Sequence, residues 1–214
     1  PLTSIIGYSD IIRRISQDED VQLSAGYIEK AGKDLLDVVE KIIRISCFQK
    51  AEYTFDPTWF FLADLCEECA RMLKPRLEHN GILLTVKGSD IQVCFDYQLV
   101  RETLLNLLDN CILYSGCTRI SISADIRPVR LMVEDNGAGI RPEQLERIFE
   151  PFYRPAKSNS KGSGLGLSIC KNCMTAQGGD LEIESMQGQG TKVILYFGEK
   201  SKVGSGFRNM WRRI

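Results

Sequence analysis

The chain has 214 residues, 43% of them hydrophobic, and a formal net charge of −1. That length supports one good core, or one core with a small accessory domain, and the near-neutral charge lacks the basic excess with which nucleic-acid binders neutralise phosphates. No apolar run approaches the roughly twenty residues of a membrane span, and no signal peptide is visible. The first residue, Pro1, falls inside a helical pattern rather than at a natural start. The chain is therefore expected to be a piece of a longer protein, with any membrane attachment supplied by segments upstream of it.

Residues 1–52 read as two helices. Ile5, Tyr8, Ile12 and Ile15 are spaced 3-4-3, and after the polar stretch Gln17–Asp20, Ile28, Ala31, Leu35, Val38, Ile42 and Ile45 continue as 3-4-3-4-3. This heptad seam is the signature of helices packed nearly parallel or antiparallel. An isolated hairpin has little core of its own, so pairing with a second copy into a four-helix bundle is expected. Packing of the hairpin on its own chain is the alternative. The seam breaks at Ala51–Pro57, where a boundary is placed.

Beyond the boundary, residues 56–199 read as a mixed α and β layer structure. Phe60–Leu77 is predicted helical, Ile82–Val86 and Ile91–Phe95 are short strands, and Tyr97–Tyr114 is a long apolar helix. Arg119–Ala124 and Val129–Glu134 alternate about a turn containing Pro128. Leu165–Gln177 is predicted helical, and Leu181–Ser185 and Thr191–Phe197 form a last strand pair around Gly188–Gly190. The expected fold class is α+β: an antiparallel helical hairpin followed by an α/β sandwich with one mixed open sheet. In residues 200–214, Phe207, Met210, Trp211 and Ile214 follow the i, i+3, i+4, i+7 spacing beside three arginines. That basic amphipathic tail suits a partner or a membrane surface, and equally packing on its own domain or a linker to a further segment.

Eight cysteines lie in regular elements, two pairs of them with CxxC spacing, Cys66/Cys69 and Cys170/Cys173. Zinc is one reading of four such thiols. Both pairs fall in helical patterns without a knuckle glycine, so small buried apolar groups are the better reading.

Four local features follow in order after the boundary. Asn106-Leu-Leu-Asp-Asn110 puts two amides on one helix face, either satisfied locally or offering a hard oxygen to Mg²⁺. Asp135-Asn-Gly137-Ala-Gly139 follows a strand; it is a turn signal, and its carboxylate is also suited to an exocyclic amine. Gly162-Ser-Gly164-Leu-Gly166 opens a helix, where free N–H groups and the helix dipole favour phosphate. It is neither a Rossmann fingerprint nor a Walker A loop. Gly188-Gln-Gly190-Thr191 reads as a hairpin turn.

In this order the four features resemble the N, G1, G2 and G3 boxes of the histidine kinase ATP-binding domain. Phe149-Glu-Pro-Phe152-Tyr-Arg154 looks like the F box of the same family, and Pro1-Leu-Thr-Ser-Ile-Ile-Gly-Tyr-Ser resembles the region just after its H box. The resemblance spans roughly residues 1–198. It implies ATP and Mg²⁺ as ligands, with Asn110 on the metal and Asn106 beside it in a catalytic role. It implies that Asp135 reads the adenine amine with Thr191 near it, that Gly137 and Gly139 admit the base, and that Tyr114 lines its pocket. Gly162, Gly164, Leu165 and Gly166 would cradle the phosphates under a lid at about Pro155–Ser163, and Arg154 would touch the γ-phosphate. Leu113 stands where the family often carries a basic residue, and Cys111 stands in place of the usual alanine.

The resemblance implies a homodimeric sensor kinase of two-component signalling. It would pass phosphate from a histidine to the aspartate of a response-regulator receiver domain, on the cytoplasmic side of a bacterial inner membrane. The one histidine, His79, sits at a helix end inside the ATP-binding region and is not the expected acceptor, which would lie just upstream of Pro1. Hydrolytic relatives carry a glutamate base four positions before the metal asparagine; Asn106 occupies that position here. A serine kinase would lack the heptad hairpin. A non-catalytic ATP-binding dimer scaffold is the alternative function.

Overall fold

A computed structural model describes residues 1–49, 53–87, 91–154, 163–198 and 201–203. Two compact units divide it, Pro1–Cys47 and Phe48–Ile214.

The first unit is a helical hairpin. Helix α1 spans Leu2–Ile15 and α2 Glu19–Gln49. Asp18 ends the connection by accepting the Asp20 and Val21 amides through Oδ1 at 2.9 and 3.3 Å. The two helices meet along small or satisfied residues. Ser9 is buried with its hydroxyl on Ile5 O, Ala25 is buried, and Gly32 lets α2 approach Ile6. Glu29, 8% exposed, takes Arg13 across the hairpin at 3.2 Å and Lys33 at 2.5 Å. Of the predicted seam, Ile5, Ile12, Ile15, Ile28, Leu35 and Ile42 are exposed, Ile12 and Ile28 bordering a hollow beside Ser9 and Ala25, and Val38 is half-buried. Within the hairpin, most of the apolar stripe is therefore open.

In the second unit, strand β1 (Pro57–Phe61) precedes helix α3 (Leu62–His79). The helix predicted from Phe60 thus begins two residues later. Pro57 and the aromatic run Trp59–Phe61 suit an edge strand, and they pair antiparallel with β3. Strand β2 is Leu83–Lys87, β3 Ile91–Asp96 and helix α4 Tyr97–Asn110. Here α4 gives way to a π-turn at Cys111–Ser115, so the long apolar helix is α-helical over its first fourteen residues only. Strands β4 (Arg119–Ile126) and β5 (Val129–Asp135) form the predicted hairpin. A short helix α5, Pro142–Leu145, is an addition to the sequence reading. Helix α6 (Gly166–Ala176) and strands β6 (Asp180–Met186) and β7 (Gly190–Tyr196) follow, with β8 at Ser201–Val203.

The mixed open sheet has the order β2-β4-β5-β7-β6, parallel only between β2 and β4. A second, three-stranded sheet, β1-β3-β8, stands beside it, where one sheet was expected. The two strands β2 and β3 are adjacent in sequence but belong to different sheets, which local patterning cannot reveal. Strand β8 also gives the start of the 200–214 segment a place against β3; the amphipathic 207–214 stretch lies outside the described residues.

Alternation decides the layers. Ile120, Ile122, Leu131, Val133, Leu181, Val193 and Leu195 share one face of the large sheet and are buried in a single core with residues of α3, α4 and α6. The other face carries a polar ladder, with Lys192 on Glu184 at 3.5 Å and Arg130 on Asp125 at 2.7 Å. Both CxxC pairs are buried in helices as free thiols. Burial pushes the Cys69 thiol up to about 12 and the Cys173 thiol up to about 11.

Candidate nucleotide site

The same alternation places Asp135. It is the last residue of β5, in phase with Leu131 and Val133, so its carboxylate points into the core layer and is 5% exposed. A buried carboxylate requires donors. Oδ1 accepts the Gly137 N–H at 2.8 Å, and Oδ2 lies 3.6 Å from the Cys111 thiol, which donates to it. Burial, then the charge of Asp135, pushes the Cys111 thiol up, so it stays protonated.

The loop after Asp135 is held on three sides. Asn136 Oδ1 accepts the Thr118 and Arg119 amides at 3.0 and 2.9 Å. Ala138 N–H donates to Ser115 O at 2.8 Å, and Ala138 O accepts the Gly188 N–H at 2.7 Å. Ser185 Oγ accepts the Ile140 N–H at 2.8 Å. A Cβ on Gly137 would stand 2.3 Å from Ser115 O, and one on Gly139, at φ +67°, 2.1 Å from Met186 O. The space next to both glycines is therefore filled by the protein's own backbone, and their first role is to let the loop close on the π-turn and on the β6–β7 connection.

Thr191 stands in register with Asp135 on the neighbouring strand, its Oγ1 3.0 Å from Ser185 Oγ. Ser185 also donates to Gly190 O at 2.8 Å, which makes it the junction of the 135–140 loop and the last turn. Neither Ser185 nor the Cys111 contact was visible beforehand. A single serine in a strand and a cysteine in an apolar helix carry no motif; only strand pairing brings them to the loop.

In the last two turns of α4, just before the π-turn, Asn106 and Asn110 are half-buried on one helix face, one turn apart. Asn106 Nδ2 donates to Cys170 Sγ at 3.4 Å, and its Oδ1 lies 2.8 Å from where a Cβ on Gly166 would stand. Asn106 thus seats the first turn of α6 on α4. Leu165, fully buried, occupies the N-cap of α6 and offers no side-chain cap. Among the described residues no side chain caps the start of α6, where the N–H groups and the dipole favour an anion. Gly164 O accepts the Phe152 N–H at 3.0 Å, joining this turn to the Phe149–Arg154 stretch. Arg154 is exposed at the edge of that stretch, and Tyr114 and Leu113 are exposed on the π-turn. Gly162 and most of the expected lid lie outside the described residues.

The last two turns of α4 and the π-turn after them therefore join two clusters: Asp135, the 136–140 loop and Thr191 on the π-turn, and the start of α6 on Asn106. The donor set fits a nucleotide. It combines a buried acceptor, an uncapped helix N-terminus and a neutral amide oxygen at Asn110. Among the described residues no group of three or more His, Cys, Asp and Glu is gathered for a metal ion. A magnesium ion held through Asn110 would take its remaining ligands from phosphate oxygens and water, as this ion usually does.

The family described as histidine kinase-, DNA gyrase B- and HSP90-like ATPase matches residues 95–201. The sensor histidine kinase AruS of Pseudomonas aeruginosa is 31% identical over 205 residues, 89% of this chain and 20% of AruS. Full-length ShkA, solved in complex with AMPPNP, shares the fold at TM-score 0.83 and 22% identity, over 95% of this chain and 44% of that one. The histidine kinase ThkA, solved in complex with the response regulator protein TrrA, matches at TM-score 0.65 and 24% identity, over 92% of this chain and 57% of that one. The chain spans about a fifth to two-fifths of the lengths of the curated relatives it matches first. No helix among the described residues is long and apolar enough to cross a membrane. With half its length matched by that family, and sensor histidine kinases aligned to it through hairpin and sheet alike, the chain belongs to the histidine kinase-, DNA gyrase B- and HSP90-like ATPases.

Proposed function

We propose that this chain is the catalytic core of a protein-histidine kinase. Residues 56–199 bind Mg-ATP, and residues 1–52 dimerise as half of a four-helix bundle. The γ-phosphoryl group passes to a histidine outside the chain and then to the aspartate of a response-regulator receiver domain. The observation that supports this most is the junction of Asp135, the 136–140 loop, Ser185 and Thr191 with the π-turn, directly after the part of α4 that seats α6 through Asn106.

In this reading Asp135 accepts from the adenine amine, Thr191 stands beside it, and Tyr114 borders the base. The N–H groups at Leu165 and Gly166 and the backbone of Gly164 face the phosphates. Asn110 supplies an amide oxygen to magnesium, which neutralises phosphate charge when bound. Asn106 keeps α6 in place, and Arg154 meets the γ-phosphate. Phosphoryl transfer depends mainly on such positioning and charge neutralisation. His79 is exposed at the C-terminal end of α3, and the resemblance assigns it no acceptor role. The ThkA complex supports a receiver-domain partner, and ATP as substrate supports placement on the cytoplasmic side of a bacterial membrane protein.

The test is the chain extended upstream through the acceptor histidine and incubated with γ-labelled Mg-ATP. Acid-labile, base-stable label on the protein is expected, with transfer to a receiver domain. A folded dimer that binds ATP and takes up no label would replace the kinase with the dimer scaffold.

A further inference from the structure

The Cys111 thiol has no part in the chemistry above, yet it touches the carboxylate on which base recognition depends. Cys111 opens the π-turn, is 5% exposed, and lies 3.6 Å from Asp135 Oδ2. The other carboxylate oxygen accepts the Gly137 amide at 2.8 Å. Among the described residues each oxygen therefore has one protein donor, and the two donors come from different elements. Rotation about the last bond of an aspartate is soft and two-fold, so a carboxylate held by one donor still turns. Donors on both oxygens set its plane. The element carrying the thiol is itself anchored: Cys111 O accepts the Ser115 hydroxyl at 2.7 Å and the Cys117 thiol at 3.6 Å. Ser115 Oγ in turn accepts the Cys117 amide at 3.1 Å.

We propose that Cys111 is a positioning residue for base selection: its thiol fixes the Asp135 carboxylate plane so that the lone pairs left over face the exocyclic amine of an adenine nucleotide. The inference rests on the reading of Asp135 as the base-recognising group. Cys111 itself touches no substrate; it acts through Asp135.

The experiment titrates Mg-ATP and the magnesium complex of purine riboside triphosphate into the full chain by calorimetry. The second nucleotide carries hydrogen where ATP has its 6-amino group. Cys111→Ala is expected to weaken ATP about fivefold or more while leaving the analogue within about twofold. Cys111→Ser, whose hydroxyl also donates, is expected to recover the preference for ATP. Unchanged ATP affinity in Cys111→Ala, or equal losses for both nucleotides, overturns the proposal. If the alanine variant does not fold, the serine variant decides: a retained preference supports the role and a lost one overturns it. A wild-type chain without preference for ATP over the analogue, or an Asp135→Asn variant that keeps that preference, overturns base recognition by Asp135 and the role of Cys111 with it.

Discussion

Gly190 shows how closely the site is built at the level of single residues. It sits at φ +97°, and a Cβ there would stand 2.0 Å from Asp135 O. Gly190→Ala is therefore expected to cost about 2–3 kcal/mol, from left-handed strain and from pushing β7 off the end of β5. Urea unfolding measures it, and a loss below about 0.5 kcal/mol would show that the turn relaxes freely. The glycines of the 136–140 loop make the same point. The sequence pattern marks them correctly as special, but their flat surfaces meet Ser115 and Met186 backbone atoms. Only the folded loop shows which neighbour each glycine serves.

Helix α4 is the element on which the site hangs, and its start is as deliberate as its end. Asp96, 7% exposed, caps it by accepting the Leu99 amide at 3.2 Å through Oδ1. Its Oδ2 also accepts the Asp56 amide at 3.2 Å, and its own N–H donates to Gln177 Oε1 at 2.7 Å. The cap thus ties α4 to the segment entering β1 and to the end of α6. Asp96→Ala is expected to destabilise the second unit by about 1–2 kcal/mol, the upper part of the usual range for a lost cap. Coincident shifts in circular dichroism and tryptophan fluorescence would confirm a global effect. A change confined to Trp59 on β1 would mean that the Asp56 bond dominates.

Two properties belong to the whole molecule. The first is alkaline lability. Burial raises the Cys69 and Cys170 thiols to about 12 and Cys173 to about 11, from an ordinary 9.0. Between pH 9 and 11 the unfolded chain has lost these protons and the folded chain keeps them. Unfolding then releases protons, so stability is fully present below pH 9 and falls as pH rises towards the folded values. Each such thiol contributes a slope of up to about 1.4 kcal/mol per pH unit in that window. Denaturation midpoints at pH 8 and pH 10 test this, and replacing Cys69 and Cys173 with alanine should flatten the difference. The second property is assembly. The exposed stripe of Ile5, Ile12, Ile28, Leu35 and Ile42 on the first unit is expected to be covered by a second copy. Sedimentation velocity should show a dimer that Leu35→Asp converts to monomer. A wild-type chain that stays monomeric at tens of micromolar would refute the bundle.

What the residues alone determined was periodic or punctuated. The 3-4 seam of the hairpin, the alternation of β4, β5 and β7, the glycines opening α6 and the ordered boxes were all legible, because side-chain period and turn chemistry are local. Tertiary structure alone decided the rest. It split β2 and β3 between two sheets and turned the aromatic run Trp59–Phe61 into an edge strand. It also put β8 beside β3 and converted the end of α4 into a π-turn. Each of these depends on a partner distant in the chain, and hydrogen bonding to a distant strand leaves no period in the sequence that forms it. The contact between Cys111 and Asp135 is of the same kind, since it exists only because the wide turn and the end of β5 reach the same place.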